Sequence, residues 1–539
     1  MKKNTLIFIL TTAIWMLISF VLYLIYLPTI NLKMFSFWIF IFFILIGELT
    51  IISICRGIKN IKQSSIIFGV SVSVMFGILM FLLIASSPIF NAKKYQKQLG
   101  EIKEDSFVES ISNLDNEGIP TVDIQLAYKQ GEKTLGQVTG LGSQVNIGEF
   151  TLGQVDGKLM YVAPLEHSGF FKWLTNKTTP GYITVSATDP NDVKLVQEIN
   201  GEKINLRYLE SSFFADDLVR HVKLSNNISK PLTDYSFELD DNGRPYYVVT
   251  VYENEIFVSA PEVIGTVICD VQTGEITNYS IEDTPDWVDR IMPESIVNNQ
   301  IQNWGEYIHG IFNFSNKDKL MKTDGMIIVY NEGNCYYYTG LTSVGADEAV
   351  VGFMMVNTRT KEAIKFTMGG ATEQAAMMSA SGLVQDMGYY SSIPIPINLN
   401  SVPTYFMTLK DNEGLIKSYA LVNIENYSIA AVGSNIAEAK RNYMSKLSSS
   451  GNNNSLTDEN SKGSLEGIVT RISANVENGN TSFYLVIDDN KEKLYIAPYN
   501  VSEELPITRE GDKVKISYID TTNGAISITS FDNLDYVTN

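Results

Sequence analysis

The stretch that decides the fold is 243–279, GRPYYVVTVYENEIFVSAPEVIGTVICDVQTGEITNY. Its β-branched and aromatic residues predict two strands joined by a connection. The second strand ends in the turn signal DVQTGE, 270–275. Related stretches recur along the chain, which indicates several copies of one small α+β unit. No catalytic motif accompanies any of them.

Three further segments share this pattern of two strands. The second strands are YITVS (182–186), TVICD (266–270), FMMVN (353–357) and YALVN (419–423). A glycine precedes the first three, and all four lead into a polar turn. The earlier, aromatic-rich strands are KLMYV (158–162), RPYYV (244–248), NCYYY (334–338) and PTYFM (403–407). Four copies of one pattern predict a repeat architecture.

Helical patterns lie between the strand pairs, at 212–222, 293–312 and 371–387. Ser212 is a plausible N-cap of the first helix, and Gly388 ends the third. The second helix carries apolar residues at three- and four-residue steps, the last being Phe312. We expect Trp304 and the pair Met377 and Met378 to face a core rather than a ligand. Strand pairs with a helix across one face make an α+β unit.

The segment VICDVQTGEI (267–276), preceded by the helical pattern 212–224, resembles the PepSY domain. In the third and fourth copies Asn357 and Asn423 replace the aspartate of this motif, and the final glycine is missing. The arrangement that includes DWVDR (286–290) and WGEYIHG (304–310) also resembles uncharacterised membrane-anchored proteins of Gram-positive bacteria over 1–447. This resemblance implies a cell-envelope location and brings no activity. PepSY-like modules are proposed to restrain or regulate peptidases and wall hydrolases.

Three apolar runs at about 6–27, 34–55 and 65–90 each exceed the length that marks a membrane-spanning helix. The first run lacks a small-residue cleavage site, so we interpret it as a retained span and not as a signal peptide. Basic residues flank the inner ends of such spans. On that rule the N-terminus and the second loop are cytoplasmic, and everything after Phe90 lies outside. The supporting residues are Lys2, Lys3, Arg56, Lys59 and Lys62; Lys93, Lys94 and Lys97 argue the other way.

The net charge of −19 lies almost wholly outside the spans and speaks against a nucleic-acid partner. Three cysteines exclude a disulfide-rich scaffold. Cys269 and Cys335 either pair or remain two separate core thiols, and the second interpretation is favoured. Glu48 within the second span is either a functional carboxylate or a group hydrogen-bonded to a neighbouring helix. Its position toward the inner end favours the second.

Between the spans and the repeats, 92–117 is polar and predicts a helical or flexible stalk. Short alternations broken by glycines predict strands with tight turns over 119–164. A polar linker at 448–462 then precedes five strand patterns over 463–539. Their order resembles an OB-fold, a small closed barrel. Because this segment is not basic, we expect a protein or glycan partner, or a purely structural cap.

No known catalytic or metal-binding motif is found. The three histidines, His167, His221 and His309, lie far apart and not at metal-ligand spacing. The segment around Ser343 resembles a nucleophile elbow, but the serine is one residue away from the position that this motif requires. It is also expected in a hairpin connection. The segment GLG (140–142) is interpreted as a turn and not as a phosphate site, and DDNG (240–243) as a turn and not as a calcium site. Asp286 and Asp289 either form an exposed recognition patch or open a helix, and the second is favoured.

The sequence thus predicts an α+β chain with three N-terminal transmembrane helices, an extracytoplasmic array of PepSY-like units and a C-terminal barrel. It predicts no catalytic residue, cofactor or metal site. The expected function is that of a non-enzymatic, membrane-anchored protein that binds or regulates envelope proteins or wall polymers. The alternatives are a wall hydrolase or peptidase and a membrane signalling or transport subunit. The predicted segments are 1–91, 92–117, 118–200, 201–292, 293–447, 448–462 and 463–539.

Overall fold

A computed structural model describes residues 2–55, 61–111, 120–155, 157–331, 333–345, 349–449, 462–477, 480–488, 493–519 and 525–536. The chain forms two compact units. The first holds residues 1–104, 120–346 and 353–365, and the second holds 105–119, 347–352 and 366–539. The basic loop 56–60 and most of the expected linker, 450–461, lie outside the described residues.

Three long helices open the first unit: Lys2–Tyr26, Phe35–Cys55 and Ile61–Ser86. Each contains a stretch long and apolar enough to cross a membrane, at Leu6–Tyr26, Phe35–Ile54 and Ser65–Ser86. These bounds confirm three N-terminal helices that are long and apolar enough to cross a membrane, although the third ends earlier than Phe90. Pro88 cannot continue the helical hydrogen bonds of the third span, and a separate short helix, Pro88–Gln96, begins there.

Each of four repeats is a helix followed by four antiparallel strands, in which every strand pairs with the next. We name them repeat one (124–196), repeat two (218–280), repeat three (294–366) and repeat four (373–433). The helices are Ile124–Gly136, Leu218–Leu224, Glu294–Glu306 and Glu373–Gly382. The strands of repeats one and two are Thr151–Val155, Lys158–His167, Tyr182–Ser186 and Val193–Val196, then Leu232–Leu239, Pro245–Ile256, Ser259–Asp270 and Ile276–Ser280. Those of repeats three and four are Ile327–Asn331, Asn334–Ser343, Gly352–Asn357 and Ala363–Phe366, then Ile395–Leu399, Val402–Lys410, Ile416–Asn423 and Ala430–Gly433. The four predicted strand pairs are therefore the central two strands of each repeat.

The turn after the third strand has one construction in all four repeats. A side-chain oxygen at the end of the strand accepts hydrogen bonds from backbone N–H groups two or three residues further on. Asp270 accepts from Gln272 and Thr273, and Asn357 accepts from Arg359 and Thr360, all at 2.9 Å. Ser186 and Asn423 occupy the same position. The asparagines that depart from the PepSY-like motif therefore form the same turn as the aspartate.

The glycine before the third strand is explained by close approach of the fourth strand. A Cβ atom at Gly181, Gly265 or Gly352 would overlap a backbone carbonyl oxygen of the neighbouring strand. The three oxygens belong to Val196, Tyr279 and Phe366. Only glycine lacks the atom that would force the strands apart.

The sheet of repeat two is buried on both faces, which explains the nearly continuous apolar run in its central strands. Side chains alternate along a strand, so Tyr247 and Val249 face one core while Val248 faces the other. The first core adds residues of repeat one and of the repeat-two helix: Met160, Val162, Leu218 and Val222. The second adds residues of repeat three: Val297, Ile301, Tyr337 and Met354.

Several predictions about the elements outside the strand pairs are wrong. The region 119–164 contains the helix Ile124–Gly136, which begins at the N-cap Asp123. The repeat-two helix begins at Leu218 with Asp217 as its N-cap, and a 3₁₀ turn, Phe214–Asp216, stands where Ser212 was expected to start a helix. Phe312 and Met378 are exposed and do not face a core.

The expected stalk is folded through residue 111. It contains a strand, Ile102–Asp105, at the edge of the repeat-three sheet, and a short helix, Phe107–Ser110. Lys103 pairs with Glu362 of that sheet. Further short elements are Val145–Ile147, Phe170–Thr175, Glu198–Ile199, Glu202–Lys203, Leu320–Lys322, Ala349–Val350, Gly370–Ala371, Gln385–Met387 and Tyr390–Ser391.

The second unit contains repeat four and a closed barrel. The helix Ile436–Ser449 covers the repeat-four sheet, where the hydroxyl groups of Tyr443 and Thr404 lie 3.0 Å apart. The barrel strands are Lys462–Glu477, Asn480–Ile487, Leu494–Pro498, Lys513–Ile519 and Ala525–Asn533. They close in the order first, second, third, fifth, fourth, with the third and fifth parallel. The five predicted strands are therefore confirmed, and they close a small barrel.

Candidate functional site at the junction of the spans and repeat two

The loop that joins the first two spans, residues 27–34, lies against repeat two. The backbone N–H of Ile30 donates to the carbonyl of Ile228 over 3.0 Å, and Asn31 Nδ2 donates to Ser229 O. On the repeat-two hairpin, Asn254 Nδ2 donates to the carbonyl of Lys33 over 2.9 Å. These contacts join backbone to backbone and side chain to backbone, so they fix the position of the loop and not merely its proximity.

Lys223 lies at the centre of this contact. It is on the repeat-two helix, and its Nζ donates to Thr29 Oγ1 over 2.7 Å and to the carbonyl of Lys230 over 2.6 Å. Burial of the ammonium group lowers the pKa of Lys223 to about 8. A buried cation is tolerated only when hydrogen bonds replace its water, and these two oxygens do so. Lys223 therefore couples the span loop to the repeat.

The tip of the repeat-two hairpin meets the end of the third span. Ile256 pairs with Ser259 around a two-residue turn, Phe257 and Val258. The N–H of Val258 donates to Ser86 Oγ over 3.2 Å. Tyr95 Oη donates to the carbonyl of Ser86 over 2.7 Å and lies 2.9 Å from Ser259 Oγ. The hairpin thus contacts the ends of both the loop 27–34 and the third span.

Glu48 faces the first span. Its Oε2 accepts from Thr12 Oγ1 over 3.5 Å, and nearby Trp15 Nε1 donates to the carbonyl of Ile44 over 3.1 Å. A side chain at Gly47 would overlap the Trp15 ring, so this glycine allows the two helices to approach. The hydrogen bond from Thr12 agrees with the favoured interpretation of Glu48 as a group bonded to a neighbouring helix.

Two buried carboxyl groups lie between the sheets of the first unit, and neither was singled out in the sequence. Glu238 accepts from Ser236 Oγ over 2.7 Å, and burial raises the pKa of Glu238 to about 7. Glu166 accepts from the N–H of Ser211 over 2.9 Å and from Tyr247 Oη over 3.2 Å. Burial also raises the pKa of Glu166. Strand alternation alone does not separate an inward glutamate from an outward one, which is why both were missed.

The three histidines belong to three different repeats. His167 is buried at the end of a repeat-one strand, and burial lowers its pKa. His221 Nε2 lies 2.8 Å from the carbonyl of Gly274, and exposed His309 lies 2.8 Å from Asp318 Oδ2. Among the described residues, no group of three or more His, Cys, Asp or Glu side chains could hold a metal ion.

The remaining sequence candidates lie at separate places in the fold. Cys269 and Cys335 are separate, buried, free thiols, as favoured. Ser343 ends a strand and does not lie in a connection. Asp286 is exposed, whereas Asp289 accepts from the N–H of Gln154, and neither opens a helix, which corrects the favoured interpretation. The segments 140–142 and 240–243 are turns, as expected.

Comparison with known proteins assigns no family. No family model matches the sequence, and no curated protein matches it. A solved chimera of apocarotenoid oxygenase (ACO) and RPE65 shares 10% identity over 53% of this chain and 49% of its own, with a TM-score of 0.15. Cobalt-substituted ACO from Synechocystis shares 9% over 52% of this chain and 47% of its own, with a TM-score of 0.14. The chain thus spans about half the length of these proteins, and likenesses this low carry no argument.

Proposed function

We propose that this protein is a non-enzymatic, membrane-anchored protein of the cell envelope. Its repeats and barrel lie outside the membrane and bind or regulate envelope proteins or wall polymers. The observation that carries this proposal is the junction between spans and repeat two. Lys223, Asn254 and Tyr95 tie repeat two to the ends of the spans, so repeat two is held at a fixed place on the membrane. Such an arrangement suits presentation of a binding surface.

The orientation is supported by where the contacts fall. Loop 27–34 joins the first two spans, and Ser86 ends the third span on the same side. Both the loop and Ser86 contact repeat two. The basic residues Lys2, Lys3 and Lys62 lie at the opposite ends of the spans. By the positive-inside rule, those ends are cytoplasmic and the repeats are therefore extracytoplasmic.

The two kinds of module support the binding role. In each repeat a helix precedes the four strands, and a turn capped by a side chain follows the third strand. This arrangement supports a PepSY-like assignment of the repeats. A closed five-stranded barrel with parallel third and fifth strands supports an OB-like assignment of the C-terminal domain. The barrel carries more acidic than basic residues, which favours a protein or glycan ligand over nucleic acid.

In-cell photo-crosslinking tests the proposal. A photoreactive amino acid replaces Tyr499, which is exposed on the barrel, or Phe531, which is buried and serves as the matched control. We expect Tyr499 to yield crosslinks to envelope proteins or to retain wall fragments, and Phe531 to yield neither. Absence of crosslinks at Tyr499 together with no retention of the full-length protein on purified wall material would contradict the binding role. Wall cleavage by the purified protein would contradict its non-enzymatic nature.

A further inference from the structure

A group of exposed apolar side chains lies beside the first span. The short helix Phe170–Thr175 exposes 78% of Phe171 and 53% of Leu174. Phe214, 66% exposed, joins the same aromatic cluster, with its ring centroid 5.7 Å from that of Trp173. Phe214 adopts a positive φ of 57°, an unfavourable conformation for a bulky residue, yet its ring is largely exposed. Folding alone does not explain why this patch is apolar.

Arg220 places this patch at the level where the first span ends. Its Nη1 donates to the carbonyl of Phe214 over 2.8 Å, and its Nε donates to the carbonyl of Leu24 over 3.4 Å. Leu24 belongs to the last turn of the helix Lys2–Tyr26. The two carbonyl groups therefore share one guanidinium group, so the patch lies within one arginine side chain of the span.

A second apolar residue reaches the third span. Phe257, in the two-residue turn of the repeat-two hairpin, is 50% exposed and has a φ of 50°. Such turns favour Asn and Gly, which adopt positive φ at little cost. The ring of Phe257 meets that of Phe81 edge to face at 6.3 Å. Phe81 lies five residues before the end of the span Ser65–Ser86, about 7.5 Å deep at the rise of an α-helix.

We propose that Phe171, Leu174, Phe214 and Phe257, here called the apolar rim, insert into the interfacial layer of the bilayer that the three spans cross. Aromatic side chains favour this layer, where apolar ring and polar surroundings meet. Lys177 lies beside the rim with its Nζ 3.0 Å from the Trp173 ring centroid, so it can reach lipid phosphate groups. The rim sets the height and tilt of repeats one and two over the membrane. It requires the spans to be in a membrane but not a particular orientation.

Lipid quenching tests the rim directly. The full chain carrying Cys55→Ser is placed in nanodiscs with one added cysteine, Phe171→Cys, Phe214→Cys or Phe257→Cys, and is labelled with bimane. Cys269 and Cys335 are buried, and their labelling background is measured without an added cysteine. Ile264→Cys is the matched control, because Ile264 is 47% exposed on the same hairpin and lies about 20 Å along the strand from the turn. Phe81→Cys, within the span, is the positive control.

We expect lipids with a nitroxide near the headgroup to lower emission about twofold at the three rim positions and at Phe81, and to leave Ile264 unchanged. Soluble iodide should act most strongly on Ile264. If emission at Phe171 and Phe214 responds to these quenchers as Ile264 does, the rim is not in the bilayer and the proposal is overturned. Quenching at the rim by a nitroxide-labelled second copy, in place of lipid, would assign the rim to self-association and would also overturn it.

Discussion

The ammonium group of Lys223 donates a hydrogen bond to the hydroxyl of Thr29, with Nζ and Oγ1 2.7 Å apart. One residue belongs to the repeat-two helix and the other to the loop between the first two spans. Burial takes this ammonium group out of water, and its hydrogen bonds offset only part of that cost, because the pKa of Lys223 is lowered to about 8. The contact therefore makes the docking of the repeats on the spans sensitive to the charge of one side chain.

This charge predicts a pH dependence. Because the pKa of Lys223 is about 8 in the folded protein and about 10.5 when unfolded, the unfolded state binds more protons between these values. Stability of the junction should therefore rise from about pH 8 to about pH 10.5. Thermal melting of wild type and Lys223→Met in detergent measures it, and the rise should be smaller in the variant. Lys230→Met is the control, because the Nζ of Lys230 donates to Asn278 Oδ1 and not to the span loop, and it should behave as wild type. Identical pH profiles for wild type and Lys223→Met would refute the prediction.

Glu238 predicts the opposite slope at lower pH. Its pKa is about 7 in the folded protein and about 4.5 unfolded, so the folded state binds the extra proton between these values. Stability should fall as pH rises from about 4.5 to 7, and Glu238→Gln should remove that part of the fall. Melting temperatures across this range provide the measurement, with Glu255→Gln, an exposed glutamate of the same sheet, as control. A slope that Glu238→Gln leaves intact would show that other groups cause it.

The turn after the third strand predicts which substitutions Asp270 tolerates. Asp270→Ala leaves the N–H groups of Gln272 and Thr273 unpaired and removes the hydrogen bond from Arg244 Nε. We expect the free energy of unfolding to fall by about 2 kcal/mol or more. Asp270→Asn should cost about 1 kcal/mol or less, because Asn357 forms the same turn. Hydrogen exchange of the peptide 266–280 measures local opening. Equal exchange in the two variants would contradict the assigned role of the side-chain oxygen.

The glycine before the third strand predicts a local steric cost. Gly265→Ala would press a Cβ atom on the carbonyl oxygen of Tyr279 and force the third and fourth strands apart, costing about 1–3 kcal/mol. Gly136→Ala, where a Cβ atom meets nothing within 4 Å, is the matched control and should be neutral or stabilising. Denaturant-induced unfolding of the two variants measures the change in the free energy of unfolding. A neutral Gly265→Ala would mean that the strands are not so close.

The strand pairs were predictable because their information is local. In repeat two, strand and turn residues are contiguous, and the residues that form the capped turn at Asp270 lie within four positions of one another. The helix Ile124–Gly136 was missed because Gly131 interrupts its pattern. That glycine packs against Ile147 and Phe150, where a Cβ atom would be crowded, so tertiary packing overrides helix propensity.

The junction and the rim could not be predicted, because they join residues far apart in sequence. Thr29 and Lys223 are separated by 194 positions, and nothing local marks either one. Phe257 gave a weak signal, since an apolar residue in a two-residue hairpin turn breaks the usual turn chemistry. A violated local rule of this kind marks a candidate for a role outside the fold itself.

The central claim is that the repeats, held against the spans, lie on the extracytoplasmic side of the membrane. Labelling of intact cells with a membrane-impermeant maleimide tests it most directly, using Asp286→Cys, a fully exposed position beyond repeat two, and Lys59→Cys, in the loop after the second span. We predict that Asp286→Cys is labelled in intact cells and that Lys59→Cys is labelled only after permeabilisation. Protection of Asp286→Cys with labelling of Lys59→Cys would contradict the account.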